Sequence, residues 1–254
     1  MNKNGYEPTI SVITVVFNGA SYLENCIKSI IGQTYESLEY LVIDGGSTDG
    51  SIKIIRKYVT DIDFWISEPD KGISDAMNKG VAQASGEYVV FIHADDYLYT
   101  DTAIEKVVKH LSPTTDILIA DILFGKDCIR RKSRGINFWL NLKMGLYHQG
   151  VLCRRLLFSK YGGFDEKMYI TMDYDFFLRL YRHGIRAKHC DEILSVMGDQ
   201  GISSRLDWTG LSARFYEEEM IHKKNCNSLM LKIFYCVYEV LYIRYRRILY
   251  EIKI

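Results

Sequence analysis

Residues 87–98 read EYVVFIHADDYL, an apolar run that ends in two adjacent acids. The uncharged core of this run, YVVFI, is typical of a β-strand that is buried on both faces, as in parallel sheets. Upstream, residues 9–16 (TISVITVV) have the same β-branched character, and residues 38–44 and 63–67 read as two further strands. The first hundred residues therefore contain four predicted strands.

Helical patterns separate these strands. Apolar residues recur at helical spacing in residues 21–33, 52–58 and 73–84, and Ser47 or Thr48 can cap the second of these helices. This alternation predicts an α/β fold with a mostly parallel central sheet that is flanked by helices. Because ligands of such sheets bind beyond the carboxyl ends of the strands, the segments that follow each strand are the most informative about function.

The rest of the chain combines helices and strands in no simple alternation, and it is helical beyond residue 209. We see no internal repeat and no low-complexity linker. The predicted helices before residue 209 are 101–111 and 173–183, and the predicted strands are 116–124, 149–153 and part of 185–197.

The composition argues against several classes of protein. The 254 residues include 32 basic and 32 acidic ones, so the formal net charge is zero. Nucleic-acid binders carry a basic excess, and we expect no nucleic-acid partner. The six cysteines form no C-x-x-C pair and lack zinc-site spacing, so we expect reduced thiols. The first residues contain no long apolar segment before a cleavage site, and we expect a cytoplasmic protein.

Asp95 and Asp96 directly follow the fourth predicted strand. Adjacent carboxylates at the mouth of a sheet suit Mg²⁺ or Mn²⁺, which commonly bind one or two carboxylates plus substrate phosphates. A polar turn that caps the next helix would give the same pair of acids. Asp44, Asp70 and Asp75 fall at or near the same edge, and clustered like charges raise carboxylate pKa values unless a cation resolves them. The cluster therefore favours a site for a metal and a diphosphate.

Residues 44–47, DGGS, end the second predicted strand. The Asp44 carboxylate can accept hydrogen bonds from a nucleobase or a ribose, and the two glycines let a ligand approach the backbone closely. A plain strand-to-helix turn with an N-cap is the alternative.

Several segments, taken in chain order, resemble the family 2 glycosyltransferases with the GT-A fold. Each segment alone is unspecific, whereas their order is specific. The segments are TVVFN (14–18), LVIDGGSTDGS (41–51), SEPDKGISDAMNKGVAQASGEYVVFIHADDYL (67–98), HQGVL (148–152), GGFDE (162–166) and MDYDFFLRL (172–180), with a weak match at GIS (201–203).

The resemblance implies a division of the chain. Residues 1–205 would form the GT-A domain, in which residues 1–100 bind the nucleotide sugar and residues 101–205 face the acceptor. Residues 206–254 would form a helical C-terminal extension. The GIS segment would belong to a loop that closes over the diphosphate.

The resemblance also implies roles for residues on the donor side. Phe17 and Asn18 would border the nucleobase pocket, and Asp44 would hydrogen-bond uracil or ribose. The residues that would shape the rest of the nucleotide and sugar pocket are Asp70, Asp75 and Asn78.

Further roles concern the reacting groups. Asp96 would be the direct ligand of Mn²⁺ or Mg²⁺, and Asp95 would lie near the ribose or the donor sugar. His148 or its neighbour Gln149 would contact the donor phosphates or the acceptor, although a histidine is as often a structural residue. Asp173 matches the position of the general base. Because Asp173 also begins an apolar helix, a role as helix cap is the alternative.

Together these roles predict an inverting transferase. It would move a hexose or N-acetylhexosamine from a UDP-sugar to an acceptor hydroxyl, and the resemblance implies a lipid-linked glycan of O-antigen or capsule assembly as the acceptor. A sugar nucleotidyltransferase is one alternative, but residues 17–20, FNGA, lack the basic loop that a triphosphate would need. A non-catalytic carbohydrate- or nucleotide-binding module of the same fold is the other.

The tail from residue 229 predicts an amphipathic helix. Such a helix can lie in a membrane interface, here at the inner face of the cytoplasmic membrane. Packing on the domain or on a second subunit, as in a homodimer, is the alternative. Arg244, Arg247 and Glu251 fall on a separate stripe, and residues 126–134 form a second basic stretch. The apolar stripe of the tail consists of Ile233, Val237, Leu241, Tyr245, Ile248 and Ile252.

Overall fold

The computed structural model describes residues 5–199, 201, 205, 207–226 and 228–253. Of the predicted GIS loop only Gly201 is among them; Ile202 and Ser203 lie outside the described residues. Within the described part of the chain, the strands are β1 (Ile10–Val16), β2 (Leu38–Asp44), β3 (Phe64–Ser67), β4 (Tyr88–Phe91), β5 (Tyr97–Leu98), β6 (Ile117–Phe124), β7 (Ile129–Arg131), β8 (Val151–Arg154) and β9 (Ala187–Met197).

Helices cover both faces of the sheet and form the C-terminal part of the chain. They are α1 (Ala20–Ile31), α2 (Ser51–Lys57), α3 (Ile73–Gln83), α4 (Ala103–Val108), α5 (Leu156–Tyr161), α6 (Met172–Arg182), α7 (Trp208–Asn225) and α8 (Leu229–Lys253). Helices α1 to α4 and α6 begin and end within a few residues of the predicted positions, whereas α5 was not predicted and the predicted helical C-terminal part is divided into α7 and α8.

One sheet contains all of these strands, in the order β3-β2-β1-β4-β8-β6-β9-β5, with β7 paired to β6. The part formed by β3, β2, β1 and β4 is parallel throughout, as the alternation predicts. Every residue of β1 and of β4 is buried, which is the burial expected of central parallel strands. The carboxyl ends of these four strands therefore meet at one edge.

Beyond β4 the sheet is mixed. β8 runs antiparallel to β4 and to β6, β9 runs parallel to β6, and β5 runs antiparallel to β9. Because β8 is reversed, its first residues lie at the same edge as the last residues of β4. The strands β5 and β7 were not predicted, since they are short and their pairing is set by distant partners.

The predicted cap of α2 is wrong. Neither Ser47 nor Thr48 caps it; the Asp49 Oδ1 atom accepts a hydrogen bond from the Ser51 backbone N at 3.0 Å. Gly50, which precedes the helix, has a φ of 109°, a conformation that glycine adopts without strain. Ser47 is used elsewhere, because its Oγ accepts a hydrogen bond from the Asn18 backbone N at 2.7 Å.

Two apolar clusters of buried side chains hold the layers together. One contains side chains of β1, β2, α1 and α4, including Leu23 and Ile104. The other contains side chains of β1, α3 and α6, including Met77 and Phe176. Helix α3 lies very close to the sheet, because a Cβ atom on Gly80 would lie only 2.5 Å from Ile13 Cγ2. The six cysteines, all within the described residues, are free thiols.

Helices α7 and α8 pack on each other and on the second half of the sheet domain. The Tyr238 hydroxyl donates to the Leu142 carbonyl at 3.3 Å, and the Trp208 and Tyr250 rings lie 5.7 Å apart. The apolar stripe predicted for the tail faces away from these contacts: Val237 is 56% exposed and Leu241 is 61% exposed. Among the described residues, no helix is both long enough and apolar enough to cross a lipid bilayer.

Candidate active site

Asp44 ends β2 and is fully buried. Its Oδ2 atom accepts hydrogen bonds from the backbone N atoms of Gly46 and Ser47, at 3.1 and 3.0 Å, and from the Ser67 hydroxyl at 2.6 Å. Its Oδ1 atom is buried and has no hydrogen-bond partner among the residues that the structure describes. A buried carboxylate oxygen without a partner is costly, so this atom is available to a donor group on a ligand.

Phe17 and Asn18 form the turn after β1, next to Asp44. Asn18 has a φ of 51°, and its Oδ1 atom accepts a hydrogen bond from the Thr48 backbone N at 2.9 Å. Asn18 thus ties the turn after β1 to the turn after β2. Phe17 is 65% exposed, and an exposed aromatic ring at this edge offers a flat apolar surface to a nucleobase.

Asp70 approaches the backbone of the turn after β2. A Cβ atom on Gly45 would lie 2.3 Å from Asp70 Oδ2, so the absence of a side chain at Gly45 is what admits the carboxylate. The other oxygen, Oδ1, accepts a hydrogen bond from the Gly72 backbone N at 2.9 Å. Asp70 therefore lies at the same edge of the sheet as Asp44.

Asp75 and Asn78, on α3, make contacts that shape this edge. Asp75 Oδ2 accepts a hydrogen bond from the Lys71 backbone N at 3.0 Å, which lowers the pKa of Asp75, and Lys79 lies 3.4 Å away. The Asn78 side-chain amide exchanges two hydrogen bonds of 2.9 Å with the Phe164 backbone. Asn78 thus holds the segment after α5. If a donor sugar also bonded to Asn78, it would have to share the side-chain amide with the Phe164 backbone.

Asp96 is buried after β4 and is held by two backbone N–H groups. Its Oδ1 atom accepts a hydrogen bond from the Gly198 backbone N at 2.9 Å, and its Oδ2 atom accepts one from the His93 backbone N at 3.3 Å. The Gln149 side chain acts to lower the pKa of Asp96. Burial, and then the charge of Asp95, raise the pKa of Asp96 to about 7.

Asp95 is close to Asp96 and to a third acid. Burial raises the pKa of Asp95, and the charge of Asp199 adds to the rise. Holding these carboxylates ionised together is unfavourable without a cation. The donor set fits Mg²⁺ or Mn²⁺, which take one or two protein carboxylates and complete their coordination with phosphates and water. Within the described residues, no three potential ligand side chains converge on one point, so Asp95 and Asp96 would be the protein's contribution.

His148 connects this pair of acids with Asp173. It begins the short turn before β8, and its Nδ1 atom lies 3.3 Å from Asp173 Oδ2. Burial disfavours the charged form of His148, but the hydrogen bond and charge of Asp173, with the charges of Asp96 and Asp95, raise its pKa. The His93 ring lies 5.0 Å from the His148 ring. His148 thus contacts Asp173 directly and lies within electrostatic reach of Asp95 and Asp96.

Asp173 lies in the first turn of α6 and is also bound locally. Its Oδ1 atom accepts a hydrogen bond from the Tyr174 backbone N at 2.8 Å. The residue in the N-cap position is Thr171, and it makes no side-chain capping bond. The Oδ2 atom faces His148, so the carboxylate is partly turned away from the helix end.

The backbone before α6 is held by a buried carboxylate on α7. Glu217 accepts hydrogen bonds from the backbone N atoms of Tyr169, Ile170 and Thr171, at 2.8 to 2.9 Å, and one from the Thr171 hydroxyl at 2.9 Å. Charge-assisted bonds to three successive N–H groups fix the backbone firmly. Part of the predicted helical extension thus supports the position of Asp173.

The structure brings the predicted residues to one edge of the sheet in two groups. Asp44, Phe17, Asn18 and Asp70 surround the ends of β1 and β2, while Asp95, Asp96, His148 and Asp173 surround the end of β4 and the start of β8. His93, Asp199 and Glu217 were not singled out from the sequence. His93 could have been, because it is a polar residue directly after a buried strand; Glu217 gave no signal, since a helical glutamate is ordinarily exposed.

Comparison with known proteins identifies the family of the chain. The sequence matches the family described as Glycosyl transferase family 2 over residues 11–189. An uncharacterized glycosyltransferase of Mycobacterium tuberculosis is 35% identical over 179 residues, which cover 68% of each chain. A PGL/p-HBAD biosynthesis glycosyltransferase of the same species is 29% identical over 179 residues, covering 68% of this chain and 70% of that protein.

Solved structures show the same fold. TarS 1-349 of S. aureus, in complex with UDP-GlcNAc, superposes with a TM-score of 0.67 at 18% identity, covering 85% of this chain and 66% of that one. The mannosyltransferase PcManGT of Pyrobaculum calidifontis, in complex with GDP-Man and Mn²⁺, superposes with a TM-score of 0.63 at 18% identity, covering 100% of this chain and 88% of that one. The chain has the GT-A fold and belongs to glycosyltransferase family 2.

Proposed function

We propose that this chain transfers a hexose or N-acetylhexosamine from a UDP-sugar to an acceptor hydroxyl, with inversion at the anomeric carbon and with Mn²⁺ or Mg²⁺ bound. The observation that carries the proposal is that two acids from distant parts of the sequence, Asp96 and Asp173, both lie close enough to His148 to raise its pKa, and that Asp173 contacts it directly. Such a transfer needs one carboxylate on the diphosphate side and another on the acceptor side.

The nucleotide sugar would bind at the ends of β1, β2 and β4. The unpartnered Asp44 Oδ1 atom would accept a hydrogen bond from uracil or ribose, beside the exposed ring of Phe17. Asp95 and Asp96 would hold the cation, and Asp95 would also lie near the ribose or the sugar. Asp70, Asp75 and Asn78 would border the sugar. UDP-GlcNAc in the TarS structure supports a uridine nucleotide, although PcManGT takes GDP-Man.

The acceptor hydroxyl would bind next to Asp173. The acceptor oxygen would form a bond to the anomeric carbon while the bond from that carbon to the diphosphate oxygen breaks. The proton of the acceptor hydroxyl would pass to the Asp173 carboxylate, a contribution of about 10²- to 10⁴-fold for a well-placed general base. When bound, a divalent cation neutralises charge on the leaving diphosphate.

The proposal extends to the setting of the reaction. Residues 1–100 would bind the nucleotide sugar, residues 101–205 would face the acceptor, and residues 206–254 would form an extension. The acceptor would be a lipid-linked glycan of surface-polysaccharide assembly. The protein would work at the inner face of the cytoplasmic membrane, and its contact with that membrane would be peripheral.

A panel of nucleotide sugars tests the proposal. Each UDP- and GDP-sugar is incubated with the protein, with and without Mn²⁺, and release of the nucleotide is measured. We expect release from one UDP-hexose or UDP-N-acetylhexosamine, and we expect chelation of the metal to abolish it. Binding of UDP without release from any sugar, even with a glycan acceptor added, would instead favour the non-catalytic binding module.

A further inference from the structure

Helix α8 presents an unusually apolar surface to solvent. Ten apolar residues of α8, each 45% to 81% exposed, form a surface that we call the apolar arc. A monomeric protein rarely exposes a contiguous apolar surface of this size without a partner. The members of the apolar arc are Leu229, Met230, Ile233, Phe234, Val237, Val240, Leu241, Tyr245, Ile248 and Ile252.

The opposite face of α8 is already covered. Tyr235 is 3% exposed and stacks on His222 of α7, with ring centroids 4.3 Å apart. Tyr238 and Tyr242 contact the segment after residue 141: Tyr238 bonds to the Leu142 carbonyl, and Lys143 hydrogen-bonds to the Tyr242 hydroxyl. The orientation of α8 is therefore fixed by its packed face, and the apolar arc points outward as a consequence.

The width of the apolar arc favours an extended apolar medium over a partner helix. At about 100° per residue, its members spread over roughly 160° of the helix surface. Two helices that pair along their length share a narrower seam. Only the second half of the arc contains charges. Arg244, Arg247 and Glu251 are exposed within the range of the arc and not on a separate stripe as predicted, and Arg247 is paired to Glu251 at 3.0 Å. Arginine side chains in such a position can extend to anionic headgroups while their stems stay in the apolar layer.

An exposed aromatic pair precedes the segment that packs on α8. Phe138 is 62% exposed and Trp139 is 57% exposed, and their ring centroids are 6.1 Å apart. They precede Leu140, whose carbonyl accepts a 2.6 Å hydrogen bond from the Tyr174 hydroxyl. Tyr174 is the neighbour of Asp173. The residues that directly follow the aromatic pair therefore contact both α8 and α6, the helix that carries the proposed general base.

We propose that the apolar arc of α8, together with Phe138 and Trp139, is a docking surface for an anionic phospholipid bilayer. This surface deepens the proposed function, because it would hold the acceptor side of the site against the membrane that contains a lipid-linked acceptor. Apolar burial would supply most of the binding, and Arg244 and Arg247 would favour anionic headgroups. The occupant is lipid and not a second copy of the chain.

Vesicle binding tests the proposal without requiring transfer activity. The full chain is sedimented with large vesicles of equal parts phosphatidylglycerol and phosphatidylcholine, and with phosphatidylcholine alone. We expect binding to the anionic vesicles, and we expect Val237→Glu/Leu241→Glu to weaken it by about tenfold or more, since each change puts a charge into the apolar layer. The matched control is Val59→Glu/Leu156→Glu, which alters two similarly exposed apolar residues outside the surface and is expected to bind like the unaltered chain.

A fluorescence measurement addresses the second part of the surface. We expect the tryptophan emission to shift to shorter wavelength on addition of anionic vesicles, and we expect Trp139→Phe to lose most of that shift. Circular dichroism of each variant verifies that it is folded. No binding to anionic vesicles by the folded chain, or unchanged binding by Val237→Glu/Leu241→Glu, would overturn the proposal. If the unaltered chain did not bind vesicles but formed a dimer, and Val237→Glu/Leu241→Glu dissociated that dimer, the surface would instead bind a second copy of the chain.

Discussion

At the scale of single residues, the central feature is the contact between His148 and Asp173. A base must be held in a productive orientation, and misplacement by about 1 Å can cost roughly 10²-fold in rate. The 3.3 Å contact from His148 Nδ1 to Asp173 Oδ2 would give His148 a positioning role toward the proposed base. The sequence suggested a contact with donor phosphates or acceptor, and that contact stays a prediction.

Two variants of His148 separate these roles. We expect His148→Ala to lower kcat by about 10- to 100-fold with little change in the KM for the donor, because Asp173 loses its partner. We expect His148→Asn to recover much of that loss, since an asparagine amide can place an N–H close to the former Nδ1 position. Steady-state kinetics with the active nucleotide sugar measures both. A raised donor KM with unchanged kcat would show that His148 binds the donor phosphates.

The contact between Gly45 and Asp70 offers a second prediction. A Cβ atom on residue 45 would lie 2.3 Å from Asp70 Oδ2, so Gly45→Ala must displace the carboxylate. We expect Gly45→Ala to weaken binding of the nucleotide sugar by about tenfold, and we expect a loss of the same size for Asp70→Ala. The double variant is expected to bind no worse than Asp70→Ala alone, since the clash is gone. Additive losses in a calorimetric titration would show that Gly45 acts without Asp70.

Some residue-level features could be predicted from the sequence and others could not. The clustering of Asp44, Asp70 and Asp96 follows from a general property of parallel sheets, because the strand ends meet at one edge. The lack of a side-chain cap on α2 could not be predicted, since Ser47 and Thr48 are both good capping residues. The structure uses the Ser47 hydroxyl elsewhere, because it accepts a hydrogen bond from the Asn18 backbone N.

At the scale of elements, the reversal of β8 determines the site. The sequence predicted a strand near residues 149–153 but not its direction. Because β8 is antiparallel to β4, its first residues lie beside Asp96 and the preceding turn places His148 there. Strand direction depends on connections that are long and irregular in this half of the chain, and local spacing contains no information about them.

Helix α7 supplies a prediction about the base. Removing the charge of Glu217 weakens four hydrogen bonds to the segment before α6. We expect Glu217→Gln to lower kcat by about tenfold or more while UDP binding is retained, because the backbone before Asp173 loses its anchor. The matched control is Glu219→Gln on the same helix, whose surface ion pair with Lys223 contributes little. Equal activity of both variants would show that the anchor does not affect the base.

The junction of α7 and α8 supplies a prediction about pH. Burial raises the pKa of Glu239 to about 7 from its ordinary value of 4.5, and the charge of Glu219 adds to the rise. The native state thus retains the proton longer than the unfolded chain, and the associated stability, complete below pH 4.5, is lost as the pH rises through about 7. We expect the urea midpoint of Glu239→Gln to match that of the unaltered chain below pH 4.5 and to exceed it above pH 7.

The opposite result would have a clear meaning. Glu239 Oε1 lies 2.9 Å from His222 Nδ1, and burial lowers the pKa of His222 to about 4. A neutral imidazole therefore faces the carboxyl. If Glu239→Gln were instead less stable than the unaltered chain above pH 7, the two side chains would form an ion pair that stabilises the junction.

At the scale of the whole molecule, the structure combines a mostly parallel sheet edge, for which we propose nucleotide binding, with helix α6, which we propose faces the acceptor, and a C-terminal pair of helices. The order of strands and helices in the first hundred residues could be predicted because each element has a clear period. The amphipathic character of the tail could be predicted for the same reason. Which face of α8 is covered could not, because this depends on Leu142, Lys143 and His222, which are remote in sequence.

The most direct measurement compares Asp96→Asn and Asp173→Asn in the same two assays: calorimetric binding of UDP with Mn²⁺, and transfer from the active nucleotide sugar. Asparagine at residue 96 can still accept the bond from Gly198 but lacks the charge that a cation requires. We expect Asp96→Asn to lose Mn²⁺-dependent UDP binding, and Asp173→Asn to bind UDP normally while transfer falls by about 10²- to 10⁴-fold. Normal transfer by Asp173→Asn, or undiminished Mn²⁺-dependent binding by Asp96→Asn, would contradict a site in which one carboxylate serves the diphosphate and the other takes the proton.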